Sequence, residues 1–137
     1  MKDQNCRYCT HTTDIIEVVA ELEVSTLYIA KEQSYRGRCI LAFRDHKTEV
    51  FQLSVAEMEA FGRDMSKATK AIYTTFSPDK INYAAYGENA PHLHFHLVPK
   101  YKGGKSWGSP FDLSPDPAGD ISPEELNKLI EQIKSNL

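Results

Sequence analysis

The chain has 137 residues, 41% hydrophobic and 26% charged, with a formal net charge of −3 at pH 7 and a pI of about 5.9. That length suits one well-buried domain and excludes two of ordinary size, so residues 1–137 read as a single domain. The acidic balance leaves no footprint for a nucleic-acid backbone, and no apolar run approaches the roughly 20 residues of a membrane span.

The polar start Met1-Lys2-Asp3-Gln4-Asn5 lacks the apolar core of a signal peptide. Cys6-Arg7-Tyr8-Cys9 follows, and with Cys39 it makes an odd total of three cysteines, which argues against a secreted disulfide framework and for a reduced, cytoplasmic setting. Ile15 to Ala20 is apolar but carries no turn signal at either end, so its structure stays open. Val24 to Ala30 alternates and is rich in β-formers, Lys31 to Arg36 is a polar loop ending at Gly37, and Arg38 to Phe43 resumes an apolar strand, which together predict a β-hairpin. Ser54-Val55-Ala56-Glu57 is a capping-box pattern, and Val55, Met58, Phe61, Met65, Ala68 and Ile72 then recur at spacings of three and four, predicting a helix from about Val55 to Thr74.

Ser77-Pro78-Asp79 stops that helix, Lys80 to Tyr86 alternates as a strand, and Gly87-Glu88-Asn89 turns the chain into His92-Leu93-His94-Phe95-His96-Leu97-Val98-Pro99. These two strands should pair antiparallel. A basic loop with Gly103, Gly104 and Trp107, able to fold over a ligand, leads to a linker from Asp112 to Gly119. Ser122-Pro123-Glu124-Glu125 then starts a last helix with Leu126, Leu129, Ile130 and Ile133 on one face, so 112–137 is a linker and carboxy-terminal helix. The expected class is α+β: an antiparallel sheet of about five strands with one long and one terminal helix against one face.

Chemistry concentrates in the histidine strand. Residues two apart on a strand share a face, so His92, His94 and His96 project together while Leu93, Phe95 and Leu97 point to a core. A plain half-buried strand would draw on Thr, Lys or Ser as readily as on three of the chain's five histidines. Such a cluster suits a metal site, acid/base work or a nucleophile with helpers. Cys6-x-x-Cys9 has the spacing of a tetrahedral zinc site and needs two more ligands. His46 and His92 are the preferred partners, with His11 as competitor. No strand–Cys-x-x-Cys–helix pattern supports the redox alternative, and Cys39 reads as a core residue.

The run from Pro91 to Pro99, with Gly87 before it, resembles the His-φ-His-φ-His-φ-φ signature of the histidine triad superfamily of nucleotide hydrolases and transferases, including the Pro-His-Leu-His-Phe-His variant of its diadenosine-polyphosphate-hydrolase-like branch. Asn82 to Gly87 is similar to the strand and turn preceding the triad in that family, Gly37 to His46 is similar to its hairpin strand, and Cys6, Cys9, His46 and His92 match the ligands of its zinc-containing members. The resemblance implies that His94 attacks the α-phosphorus of a nucleotide or dinucleotide to give a nucleotidyl-histidine that water hydrolyses, with His96 as helper. It further implies nucleotide contacts from Asn82, Gly87, Glu88, Asn89, His94 and His96, a structural zinc, and a homodimer. Two departures bear on specificity: Glu88 stands where relatives carry Gln, and Lys100 follows Pro99 where Arg is frequent. A nucleotidyl transferase or phosphorylase, a nucleotide-binding module without turnover, and a catalytic zinc held by the three alternating histidines are the competing readings.

Overall fold

The computed structural model describes residues 2–11 and 13–137; Met1 of the polar start and Thr12 lie outside them. A four-residue helix α1 (Arg7–Thr10) precedes strands β1 (Ile16–Glu21), β2 (Ser25–Ala30) and β3 (Cys39–Phe43), the long helix α2 (Val55–Phe76), strands β4 (Lys80–Ala84) and β5 (His94–Lys100), and the terminal helix α3 (Pro123–Ser135). The sheet is antiparallel throughout, in the order β1-β2-β3-β5-β4. This is the expected α+β class. The undecided segment after Ile15 is β1, whose register on β2 slips between Val18 and Ala20.

Helix α2 begins as its sequence dictates: the Ser54 hydroxyl accepts from the Glu57 N–H at 3.1 Å, while the Glu57 carboxylate accepts from the Ser54 N–H at 2.9 Å. Phe61, Ala68 and Ile72 pack on the sheet with Leu27, Leu41 and Leu97, and Leu126, Leu129 and Ile133 of α3 complete that core. The predicted stripe is not all covered: Val55 is 76% and Met58 42% exposed. No helix is long and apolar enough to cross a membrane.

A buried carboxylate locks α2 to the sheet. Asp64 accepts from the backbone N–H groups of Glu23 and Val24 at 3.0 and 2.9 Å and from the Ser25 hydroxyl at 2.6 Å. Asp64→Ala is expected to destabilise the fold by about 3 kcal/mol, since it strands the buried Ser25 hydroxyl and two part-buried backbone donors. Urea unfolding checks this, and a loss under about 1 kcal/mol would refute it.

The other sheet face holds the residues in phase with the histidines. The register places Ala42 opposite His94, Ile40 opposite His96, and Ala84 on the far side of His96. Tyr8 of α1 covers Tyr28, Ile40 and Ala42 on this face, and Tyr35 with Phe111 covers Val98. Two features differ from the sequence reading. Strand β5 starts at His94, leaving His92 just outside it, where the N–H of Leu93 bonds Lys47 and its carbonyl bonds Phe43. Residues 112–121 form a docked strap rather than a free linker: Asp112 N–H donates to the Tyr35 hydroxyl, Gln33 N–H to Gly119, and Ile121 N–H to Lys31.

Candidate active site

Cys6 lies at the start of α1, Cys9 within it, His46 past the end of β3, and His92 just before β5. Their ligand atoms all fall within 4.8 Å of one another, so the four residues are placed to bind a metal ion. The His92 Nδ1 is 3.2 Å from Cys6 Sγ, 3.5 Å from Cys9 Sγ and 3.2 Å from His46 Nδ1, and Cys9 Sγ is 3.4 Å from that same His46 nitrogen. The other His92 nitrogen, Nε2, donates to the Phe43 carbonyl at 2.5 Å, which leaves the Nδ1 lone pair facing the thiols. Burial pushes the His92 pKa down, favouring this neutral ligand form. His11 takes no part; its Nδ1 pairs with the Tyr28 hydroxyl at 2.8 Å. Cys39 is fully buried in the core.

One residue pair along, His94 and His96 line a cleft of about 490 Å³. The Nδ1–H of His94 donates to the His92 carbonyl at 2.5 Å. A carbonyl only accepts, so this bond sets the tautomer and leaves Nε2 with its lone pair free. Tyr8 holds the His94 ring from one side at 4.8 Å between centroids, and His96 from the other at 5.2 Å. Burial lowers the pKa of His94, and burial first, then the charges of His94 and Arg38, lower that of His96 to about 4. Both rings are therefore neutral at pH 7, as a nitrogen nucleophile and a neighbouring neutral partner require.

The cleft lining is chemically mixed. Arg7 and Arg38 supply positive charge that acts on His94 and His96, Glu32 lies within Coulombic range of Arg38, and Asp120, Ile15, Ile16, Ala30 and the strap residues Leu113 and Ala118 complete the walls. The Glu32 carboxylate pins the strap, accepting from Gly119 N–H, Ser34 N–H and the Ser34 hydroxyl.

Of the residues proposed from sequence for nucleotide contact, Gly87, Glu88 and Asn89 line this cleft with His94 and His96. Glu88 is exposed on its rim. Asn82 pairs with Val98, on the histidine face, but lines the adjoining cavity of about 500 Å³ with Lys80, Lys100 and Trp107. Lys100 is buried there, its ammonium donating to the carbonyls of Ser106 and Ser109, and so fixes the Trp107 loop. Tyr8 and Arg38 did not stand out in the sequence. Arg38 was legible in principle, since it stands two residues before Ile40 and so in phase with the histidine face.

Residues 15–103 match the HIT domain family. The chain belongs to that family. Among curated HIT relatives, it is 27% identical over 146 aligned residues to adenosine 5'-monophosphoramidase hnt1 of Schizosaccharomyces pombe, covering 97% of this chain and 98% of the relative. It is 23% identical over 141 residues to the protein hit of Bacillus subtilis, covering 98% and 95%. The fold matches the crystal structure of a histidine triad protein from Marinobacter aquaeolei with a TM-score of 0.84 at 19% identity, over 100% of this chain and 97% of that one. A Zn-bound histidine triad family protein from Mycobacterium smegmatis gives 0.68 at 17% identity, over 95% and 93%.

Proposed function

We propose that this HIT protein is a cytoplasmic nucleotide hydrolase that cleaves at the α-phosphate through a covalent nucleotidyl-His94 intermediate. The observation that carries the reading is the Nδ1–H of His94 bonded to the His92 carbonyl, which leaves Nε2 as a neutral nucleophile in a cleft lined by basic and apolar residues. As the Nε2–phosphorus bond forms, the bond from phosphorus to the leaving atom breaks and its electron pair stays on that atom. Water then attacks phosphorus, the electron pair returns to Nε2, and the nucleoside monophosphate leaves. His96, its ring centre 5.2 Å from that of His94, is proposed to support the phosphate oxygens or the leaving group. The N–H groups of the Gly87-Glu88-Asn89 turn are suited to phosphate, and Asn82 to a distal part of the substrate in the adjoining cavity.

The metal centre is proposed to hold a structural zinc through Cys6, Cys9, His46 and His92. Tetrahedral zinc, with Zn–S near 2.3 Å and Zn–N near 2.0 Å, asks for sulfur–nitrogen separations of about 3.5 Å and a nitrogen–nitrogen separation of about 3.3 Å. The separations of 3.2 to 3.5 Å and of 3.2 Å support that fit. Zinc there would neutralise two thiolates and fix the start of β5, holding the His92 carbonyl where it orients His94.

Rapid quench with substrate labelled at the α-phosphate should trap an acid-labile adduct on His94. An adduct mapping elsewhere, or formed equally by a His94 variant, would overturn the mechanism. Product analysis with water, phosphate and a sugar phosphate as competing acceptors separates hydrolase from transferase. A homodimer is also proposed, supported by Phe51, Val55 and Met58 standing exposed together around the start of α2. Light scattering at micromolar concentration should give twice the 15.5 kDa of one chain; a monomer mass would refute the dimer alone.

A further inference from the structure

The two residues that the metal-binding motif uses as spacers both reach the cleft. Arg7 and Tyr8 stand between Cys6 and Cys9, and both line the same cleft as His94 and His96. Helix α1 has four residues, too few to hold a helix by themselves, so its place on the sheet is set by the contacts at its ends and by the Tyr8 side chain. That side chain is only 6% exposed. Its ring packs on Ile40 and Ala42, the residues opposite His96 and His94, and lies 4.8 Å from the His94 ring with the two planes inclined by 31°.

The Tyr8 hydroxyl differs from those of the other covered tyrosines. The Tyr28 hydroxyl pairs with His11 at 2.8 Å, the Tyr35 hydroxyl accepts from Asp112 N–H at 2.7 Å, and the Tyr101 hydroxyl donates to the Phe76 carbonyl at 2.6 Å. The Tyr8 hydroxyl bonds to nothing among the described residues. Nor is it shut in: the side-chain atoms that are both unpaired and closed off from solvent are Arg38 Nε and His96 Nδ1. It therefore opens on the cleft that Tyr8 lines, where the charges of Arg7 and Arg38 act on it. A phenol is un-ionised at pH 7, so this is a free donor that a ligand can satisfy without displacing a bond within the protein. Packing on the sheet and on His94 needs the ring alone.

We propose that the Tyr8 hydroxyl donates a hydrogen bond to a non-bridging oxygen of the phosphate attacked by His94, and so is a catalytic residue. This rests on the nucleotidyl-transfer reading above and adds a donor from outside the histidine strand. With the two rings in contact, the hydroxyl and Nε2 of His94 address one phosphate. The Nε2 electron pair forms the bond to phosphorus, and the bond to the leaving atom breaks with its pair on that atom. Tyr8 keeps its proton throughout. Its hydrogen bond strengthens as charge spreads over the non-bridging oxygens, and it serves again when water attacks the nucleotidyl-histidine.

The test uses Y8F, which removes the hydroxyl and keeps the ring. Because that oxygen bonds to nothing in the protein, Y8F should melt within about 3 °C of wild type and bind AMP within about 3-fold by titration calorimetry. The substrate is the p-nitrophenyl ester of AMP, compared with its two phosphorothioate diastereomers, in which sulfur replaces one or the other non-bridging oxygen. Y8F should lower the single-turnover rate about 100-fold on the oxygen ester, the size of effect expected of one preorganised donor. It should cost about as much on the diastereomer that keeps oxygen facing Tyr8, and under about 5-fold on the one that places sulfur there, since the poorer acceptor has already lost the bond. A Y8F loss under about 3-fold on the oxygen ester, or an equal loss on all three substrates as from disturbed packing, would overturn the role of Tyr8 and leave the histidine mechanism standing. Absence of turnover and of a His94 adduct in wild type would overturn the nucleotide reading and this inference together.

Discussion

His94→Asn is expected to lower turnover by about a million-fold, the size of loss seen when a covalent nucleophile is removed from an enzyme that depends on it. Asn is the informative substitution because its amide N–H can still donate to the His92 carbonyl, which Nδ1 of His94 bonds at 2.5 Å, while nothing replaces Nε2. The buried site therefore loses reactivity without gaining an unpaired acceptor. Binding of AMP should change by less than about 10-fold, because affinity rests on the cleft walls and the two arginines rather than on the bond-forming nitrogen. His96→Asn should cost less, about 100- to 10,000-fold, as for a group that donates hydrogen bonds or protons without forming the covalent bond. Single-turnover rates on both variants measure this. Near-normal activity in the His94 variant, or an equal loss from both, would remove His94 from the nucleophile's place.

The parts of this fold that can be read from sequence are those whose signals are local. Ser54 and Glu57 announce the start of α2 because the two bonds that cap it lie within one helical turn. The β2–β3 hairpin is legible because β2 alternates and is rich in β-formers while β3, buried throughout, reads as an unbroken apolar run. β1 escapes for the opposite reason: it is an edge strand with Glu17, Val18 and Glu21 outward, and the register slip at Val18–Ala20 breaks its alternation. The strap escapes because its anchors are single bonds to Tyr35, Gln33 and Lys31, some eighty to ninety residues away, which no periodicity encodes.

The site divides in the same way. His94 and His96 declare a shared face by their spacing, and the pairing of His96 with Ile40 agrees with it. His92 shares the spacing but not the role, because the thiols of Cys6 and Cys9 and the Phe43 carbonyl claim its two nitrogens. Asn82 shows how far alternation reaches: it is on the correct face, yet one pair along from Ala84, in the cavity beyond the histidines. Arg38 was masked by its neighbours, since an arginine at the end of a polar loop ordinarily faces water. Only the fold shows it to be buried.

Stripping the metal is the second large expected effect, and it should act on stability more than on chemistry. The four donors tie α1 to the end of β3 and the approach to β5, which are themselves held together there by the backbone bonds of Leu93 to Phe43 and Lys47. At free zinc about 1,000 times its dissociation constant, a site absent from the unfolded chain adds about 4 kcal/mol, or about 14 °C in melting temperature for a domain of this size. The main core under α2 and α3 does not depend on that corner, so the stripped protein should stay folded rather than collapse as a zinc finger does. Burial raises the Cys9 thiol pKa, so binding must displace protons, and the stabilisation should weaken as pH falls. Elemental analysis should find about one zinc per chain, absorption spectroscopy a shell of two sulfurs and two nitrogens, and chelator should lower the melting temperature of wild type to that of Cys6→Ser while leaving Cys6→Ser unmoved. Turnover by the stripped protein, measured well below its melting point, should fall by under about 100-fold, because the His92 carbonyl loses its anchor but His94 keeps its nitrogen. Zinc bound only by nitrogen and oxygen, or a chelator that abolishes turnover without moving the melting temperature, would place the metal at the histidines of the cleft instead.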